Sequence, residues 1–197
     1  MKRIVAIITA VFTLSLPALS LAAVWNIDAE HSNIGFKVRH LMVSNVKGSF
    51  EKVSGAIDIN EKDITKSAIN VTIDTASINT NVQKRDDHLR SADFFEVATY
   101  PTMTFVSKKV AKAGKDKLKV TGDLTIRGVT REVVLDVVGP TTEIKDPWGN
   151  IKRRASATTK INRKDFGLVW NKVLETGGVA VGDEVQISIE VELVKAK

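Results

Sequence analysis

Alternation of apolar and polar residues constrains this chain more than any other feature. Ile34, Phe36 and Val38 are separated by Gly35 and Lys37, and His40 continues the same parity beyond Arg39. The two-residue period recurs at Ile57 and Ile59, at Ile69, Val71 and Ile73, and from Leu118 through Val120, Gly122 and Leu124 to Ile126. It returns at Val133, Leu135 and Val137, and closes the chain from Val185 through Ile187, Ile189 and Val191 to Leu193. Successive side chains of a strand point to opposite faces, so each run presents one apolar and one polar face, as in antiparallel sheet wet on one side. Turn signals at Ala113-Gly114-Lys115-Asp116, Arg127-Gly128, Asp146-Pro147-Trp148-Gly149-Asn150 and Gly177-Gly178 separate the runs, at the spacing of sandwiches and barrels. With no repeat or linker between them, these runs predict one all-β domain over residues 23–197. About eight strands closing into a barrel enclose a space that either fills with side chains or holds one small ligand. Gly35, Gly55 and Gly122 count among the candidates for inward positions, and the period alone leaves both outcomes open.

One stretch departs from the pattern. Thr80 followed by Gln83 reads as a capping box that opens a short polar surface helix near residues 81–91. Asp93 with Glu96 reads as a second cap, starting a turn through Phe94 and Phe95 that ends before Tyr100-Pro101. The helix carries Arg85, Asp86, Asp87, His88 and Arg90, an expected surface ion-pair cluster, with only Val82 and Leu89 apolar.

Lys2 and Arg3, the apolar run Ile4 to Leu16, Pro17 and the small residues through Ala23 form the pattern of a secretory signal peptide over residues 1–22. About 13 apolar residues fall short of the roughly 20 that span a bilayer. Cleavage is expected after Ala22, which leaves Ser20 three residues before the bond, or after Ala23. Loss of Lys2 and Arg3 lowers the formal net charge from +6 to +4. The chain has no cysteine, which excludes disulfides, thiolate nucleophiles, Cys-ligated zinc and lipoprotein processing. An exported barrel without disulfides relies on its core, which suits a bacterial periplasm.

Catalytic patterns are sparse. His31, His40 and an acid would make the minimal metal site of a metal-dependent enzyme, yet no His-x-His or His-Glu-x-x-His spacing occurs. No Gly-x-Ser-x-Gly elbow or phosphate-binding glycine loop is present. The expectation is therefore no enzyme, no metal and no cofactor. Lys152-Arg153-Arg154, with Lys160, Arg163 and Lys164, is the densest basic region and reads as a solvated hairpin face. Nucleic acid is not an expected partner, because aromatics do not interleave with these charges. Transient contact with an anionic membrane surface is the use such a face suggests.

Trp25-Asn26-Ile27-Asp28, His31-Ser32 and Ile34-x-Phe36-x-Val38-Arg39-His40 resemble the opening of the YceI-like family of exported polyisoprenoid-binding proteins. The resemblance continues through Val46-Lys47-Gly48-Ser49-Phe50 and Gly55-x-Ile57 to a distinctive block, Arg85-Asp86-x-His88-Leu89, Ser91-x-Asp93-Phe94-Phe95, Tyr100-Pro101 and Phe105. Gly122-x-Leu124-Thr125-Ile126-Arg127-Gly128-Val129-Thr130 and Arg163-x-Asp165-Phe166-Gly167 complete it. The resemblance implies an extended, antiparallel, lipocalin-like barrel holding a long-chain amphiphilic lipid of polyisoprenoid, quinone or prenyl-phosphate type. Mapped onto this sequence, it makes Phe36, Val38, Phe50, Phe94, Phe95, Phe105, Ile126, Phe166 and Trp170 candidate contacts for the tail. Arg85, Asp86 and His88 become candidates either for a polar head group or for pinning the helix to the barrel. The only bound group implied is the lipid, and the chain would act as a monomer or homodimer. An envelope stress or structural protein with an empty cavity remains the alternative to a carrier.

Overall fold

The computed structural model describes residues 23–175 and 177–197; the expected signal peptide lies outside them. Eleven strands and one α-helix follow in chain order: β1 Ala23–His40, β2 Ser44–Phe50, β3 Val53–Ile59, β4 Ala68–Asp74, β5 Ile78–Asn79, α1 Gln83–Arg90, β6 Thr102–Gly114, β7 Lys117–Ile126, β8 Val129–Val138, β9 Ile144–Lys145, β10 Ile151–Asn162 and β11 Val181–Lys195. Eight of the strands close an antiparallel barrel in the order β1-β3-β4-β6-β7-β8-β10-β11, and β11 returns to β1. The expected eight-stranded barrel with one short helix is therefore the fold.

β1 is long enough to serve two neighbours. Its first part pairs with β3, Trp25 opposite Ile57, and its second pairs with β2, Phe36 opposite Gly48. Between them the register against β11 slips, from Asp28 opposite Glu192 to Asn33 opposite Glu190. That bulge moves the inward parity from Trp25 and Ile27 to Ile34 and Phe36. A second bulge in β6, between Ser107 and Lys109, makes the same change from Phe105 to Val110.

The interior has two unlike ends. At one end Trp25, Ile59 and Leu193 are buried together, with Ile57, Ile64 and Ile151 packed around them. At the other end Phe94, Phe166 and Leu168 pack with Ile34, Phe50 and Ile126, under α1 and the turn that follows it. A third cluster of Phe105, Val110, Val120, Leu135 and Ala157 lies along β6, β7, β8 and β10.

Several local expectations are corrected. The helix starts at Gln83, and its cap position, Val82, supplies no side-chain bond. Asn81 is held at φ 61, which ends any helix there, and the Thr80 hydroxyl is spent elsewhere. Gly122 faces inward but leaves no gap, because a Cβ there would lie 2.5 Å from the Phe105 ring. Gly35 sits on the opposite parity from Ile34 and Phe36, with the Ser188 hydroxyl 3.0 Å from where its Cβ would be, although its backbone still borders the interior space.

Candidate functional site

Between the two ends the barrel encloses a cavity of about 240 Å³. Its wall comes from the inward positions of all eight barrel strands, with Phe50 of β2 and with Leu89, Phe94 and Phe95 from α1 and the turn after it, and no polar atom of that wall faces the space. The few polar side chains in the lining point their polar atoms away. Thr159 Oγ1 donates to the Val134 carbonyl at 2.8 Å, and Arg163 is bound to the backbone behind it. Such a cavity selects for apolar matter: each buried methylene is worth about 0.8 kcal/mol, and a polar group entering it would lose its hydrogen bonds. The volume lies just below the ~300–1,000 Å³ of typical ligand pockets, so a long tail needs lining side chains to give way.

Of the residues named from the sequence, Phe36, Val38, Phe50, Phe94, Phe95, Phe105 and Ile126 line the cavity. Phe166 and Trp170 do not. Phe166 is buried in the core cluster behind the wall, and Trp170 stacks outside, its ring 5.2 Å from Phe94 and 4.9 Å from His88. Rings from three segments meet at this end: Phe36 against Phe50 at 5.8 Å, and Phe50 edge-on to Phe95 at 5.7 Å. Leu124, Val133 and Ile189 also line the space, and the alternation had already put them on inward faces.

The charged helix proves to be a clasp. Asp86, expected on the surface, is buried and accepts from both the Thr80 N–H at 2.9 Å and the Thr80 hydroxyl at 2.5 Å. Arg85 donates to the Thr80 hydroxyl and carbonyl at 2.8 and 2.9 Å. Arg90 reaches past its Asp87 partner to the carbonyls of Ala76 and Ile78. His88 Nε2 lies 2.8 Å from Asp93 Oδ2, which commits Asp93 to the histidine. All three head-group candidates thus have partners within the fold. Within the expected surface cluster, Asp87 is exposed and pairs with Arg90 at 3.2 Å.

Two arginines outside the named set complete this end. Arg127, at φ 50 in the β7–β8 turn, donates to the carbonyls of Gly167 and Ala92 and to Glu96, and holds the Glu96 carboxyl below the usual range. Arg163 is buried and donates to the carbonyls of Leu168, Trp170 and Gly182. Burial disfavours its charge, and Asp183 at 3.4 Å partly offsets that cost. Both arginines stand in the blocks that carry the resemblance, but spacing alone could not tell a staple from a binding group.

At the opposite end the β1 bulge gathers the groups that could have held a metal. Ligand atoms of Asp28, His31 and Glu192 all lie within 4.8 Å of one another. His40 is not among them, since it lies nine residues further along the same strand, roughly 30 Å at ~3.3 Å per residue. The donor set does not fit a divalent ion, because an ammonium already occupies it: Lys152 Nζ is 2.6 Å from Glu192 and 3.2 Å from Asp28. Lys152 and Arg154 together hold the Glu192 carboxyl below its usual range. Burial pushes the Asp28 carboxyl up, but His31 and Lys152 outweigh it and the net shift is down. The basic run is consequently a solvated face only in part: Arg154, Lys160 and Lys164 are exposed, whereas Lys152, Arg153 and Arg163 are largely buried. Arg153 pairs with Glu61 at 3.0 Å and lies over the Trp25 ring at 4.9 Å, while Lys160 and Lys164 pair with Glu184 and Asp183.

Comparison with known proteins agrees with this architecture. Residues 25–193 match the model of the YceI-like domain. The YceI protein of Escherichia coli O157:H7 is 40% identical over 182 residues, 90% of this chain and 90% of that protein. The crystal structure of Burkholderia cenocepacia BcnA superposes with a TM-score of 0.71 at 27% identity, covering 84% of this chain and 98% of BcnA. A polyisoprenoid binding domain from Saccharophagus degradans, implicated in plant cell wall breakdown, shares the fold at a TM-score of 0.63 and 19% identity, covering 89% and 99%.

Proposed function

The chain belongs to the YceI-like family, and from that premise we propose that it binds the tail of a long-chain amphiphilic lipid in its barrel and stores or carries it without chemistry. The observation that carries the reading is the cavity itself, walled by apolar side chains along most of the barrel and showing no polar atom to its contents. The Saccharophagus domain, described as polyisoprenoid binding, supports a polyisoprenoid ligand, and quinone and prenyl-phosphate lipids extend the same proposal. Binding through tail burial needs few directional groups, consistent with head-group candidates that are already engaged within the fold. A head group stays outside, beside α1 and the rings of Phe95 and Trp170. Export to the periplasm through residues 1–22 belongs to the same proposal, and N-terminal sequencing of the exported chain should begin at Ala23 or Val24. The protein acts as a monomer or homodimer.

Organic extraction of the purified chain, followed by mass spectrometry of the extract, tests the reading. An isoprenoid-type lipid near one per chain is expected. Extracts free of lipid, together with failure to take up a supplied prenyl lipid, would leave the empty-cavity alternative standing. The metal-dependent alternative through His31 and His40 has less support, since His40 stands apart from His31 on the same strand and Lys152 already fills the acids beside His31. Stoichiometric zinc that was lost in His31→Ala would revive it.

A further inference from the structure

A tight turn at the helix-capped end of the barrel breaks the chemistry of its own turn type. His40, Leu41, Met42 and Val43 connect β1 to β2, with the Val43 N–H bonded to the His40 carbonyl at 3.2 Å. Both central residues are left-handed, Leu41 at φ 49 and Met42 at φ 61. A two-residue turn of this hand favours Asn-Gly or Asp-Gly, because a β-carbon at positive φ costs energy. Here bulky apolar residues occupy both places, and Val43 follows them 77% exposed. Val173, 79% exposed, stands beside them. It pairs with Val179, Ala180 accepts the Leu41 N–H at 2.8 Å, and a Cβ on Gly178 would lie 3.3 Å from Met42. Leu41, Met42, Val43 and Val173 therefore form one protruding apolar tip that neither the turn nor the core requires.

We infer that this tip is a membrane-docking surface, entering the interface of a lipid bilayer and setting the cavity rim against it. The inference rests on the lipid-binding reading and adds the place where the lipid is exchanged. Three observations favour a bilayer over a protein partner. The tip carries four exposed apolar side chains on a tight turn and the loop beside it, which suits insertion among head groups and acyl chains. It adjoins the cavity rim, since Val38 and Val181 line the cavity and His40 pairs with Val181. Arg39, which donates to the Met42 carbonyl at 2.7 Å, and Lys172 flank the tip with exposed cations against one acid, Glu175. Charge then helps orientation, and apolar insertion supplies most of the affinity. Trp148, the most exposed large apolar side chain among the described residues at 83%, lies at the closed end, on a hairpin whose neighbour Ile151 packs against Trp25. It has no route to the cavity.

Co-sedimentation of the mature chain with vesicles of phosphatidylethanolamine and phosphatidylglycerol tests the inference, alongside uptake of a water-soluble short-chain fluorescent prenyl probe. Leu41→Asn with Met42→Gly restores ordinary turn residues, so it should raise thermal stability while lowering vesicle partition about tenfold. Val43→Ser with Val173→Ser should lower partition similarly, and Trp148→Ala should leave it unchanged. Probe uptake without vesicles should match wild type in all three. Vesicle binding indifferent to the tip, or lost equally in Trp148→Ala, would overturn the inference while the cavity reading stands. Failed probe uptake with tip-dependent vesicle binding would overturn the cavity reading and leave docking in place. A concentration-dependent dimer abolished by the Asn-Gly turn, with no vesicle binding, would assign the tip to a second copy of the chain instead.

Discussion

The two ends of this barrel solve the same problem in different ways. At the closed end one large ring, Trp25, fills the lumen with Ile59 and Leu193, and cations cover it: Arg153 lies 4.9 Å and Lys195 5.5 Å from its centroid. Outside, the β1 bulge knots Asp28, His31, Lys152, Arg154 and Glu192 into one charged cluster. At the helix-capped end several smaller rings stand around a space instead of filling it, and arginines staple the loops from behind through backbone carbonyls. An interior packed throughout to ordinary density would leave no room for a guest. The difference teaches that one end is plugged by a single large ring, whereas the other packs its core around a space that it leaves unfilled.

The comparison can be broken most severely at Trp25. Trp25→Ala should cost about 3–5 kcal/mol in denaturant unfolding, yet folded variant should retain its lipid, because Trp25 lies outside the cavity wall. Loss of lipid from well-folded variant would show that the two ends are not separable. Next is Arg163→Met, which leaves three carbonyls short of a donor and should cost about 2–3 kcal/mol. Hydrogen exchange should quicken between residues 167 and 182 and remain slow around Trp25.

The charged cluster is expected to have a smaller effect, visible mainly through pH. The Asp28 and Glu192 carboxyls titrate below their ordinary values in the fold. Their contribution is thus present above the usual carboxylate range near about 4 and is lost as pH falls through the lowered values. Lys152 shifts upward, mainly through Glu192, so its share persists through neutrality and disappears only in strong alkali. Lys152→Met should destabilise the protein at pH 7 and flatten the loss below about pH 4. An unchanged acid profile would detach the cluster from stability. Smallest in stability is Leu124→Phe, which adds volume where there is space and should shift unfolding by less than about 1 kcal/mol while reducing lipid content severalfold. Phe94 is a poorer probe, since it is packed against His88 and Trp170 as well as the cavity.

Much of the barrel is legible in the sequence, because alternation survives wherever a strand keeps one register. The runs at Leu118–Ile126 and Val185–Leu193 fall within β7 and β11 with the expected inward faces. β6 and the start of β1 are obscured by bulges that switch parity midway, and β10 by its small inward residues Ala155 and Ala157. Thr80 and Gln83 imitate a capping box because the pattern is local, whereas the Thr80 hydroxyl is claimed by Asp86 from within the helix. The cluster around Glu192 was illegible for a further reason. Glu192 sits on the outward parity between Val191 and Leu193, and only the bulge, 160 residues away, buries it with the Ser32 hydroxyl on its N–H. Alternation identifies which face turns inward; it does not reveal whether that face meets side chains or space, as Gly122 under the Phe105 ring illustrates.

The central claim, that the open half of the barrel is a lipid site, is tested most directly by native mass spectrometry of wild type and Leu124→Phe purified side by side. One lipid-mass adduct per wild-type chain, removed by collisional activation and largely missing from the variant, is the expected result. Wild-type chains at the bare polypeptide mass, still without an adduct after incubation with prenyl lipid, or an adduct equally abundant in the variant, would contradict it.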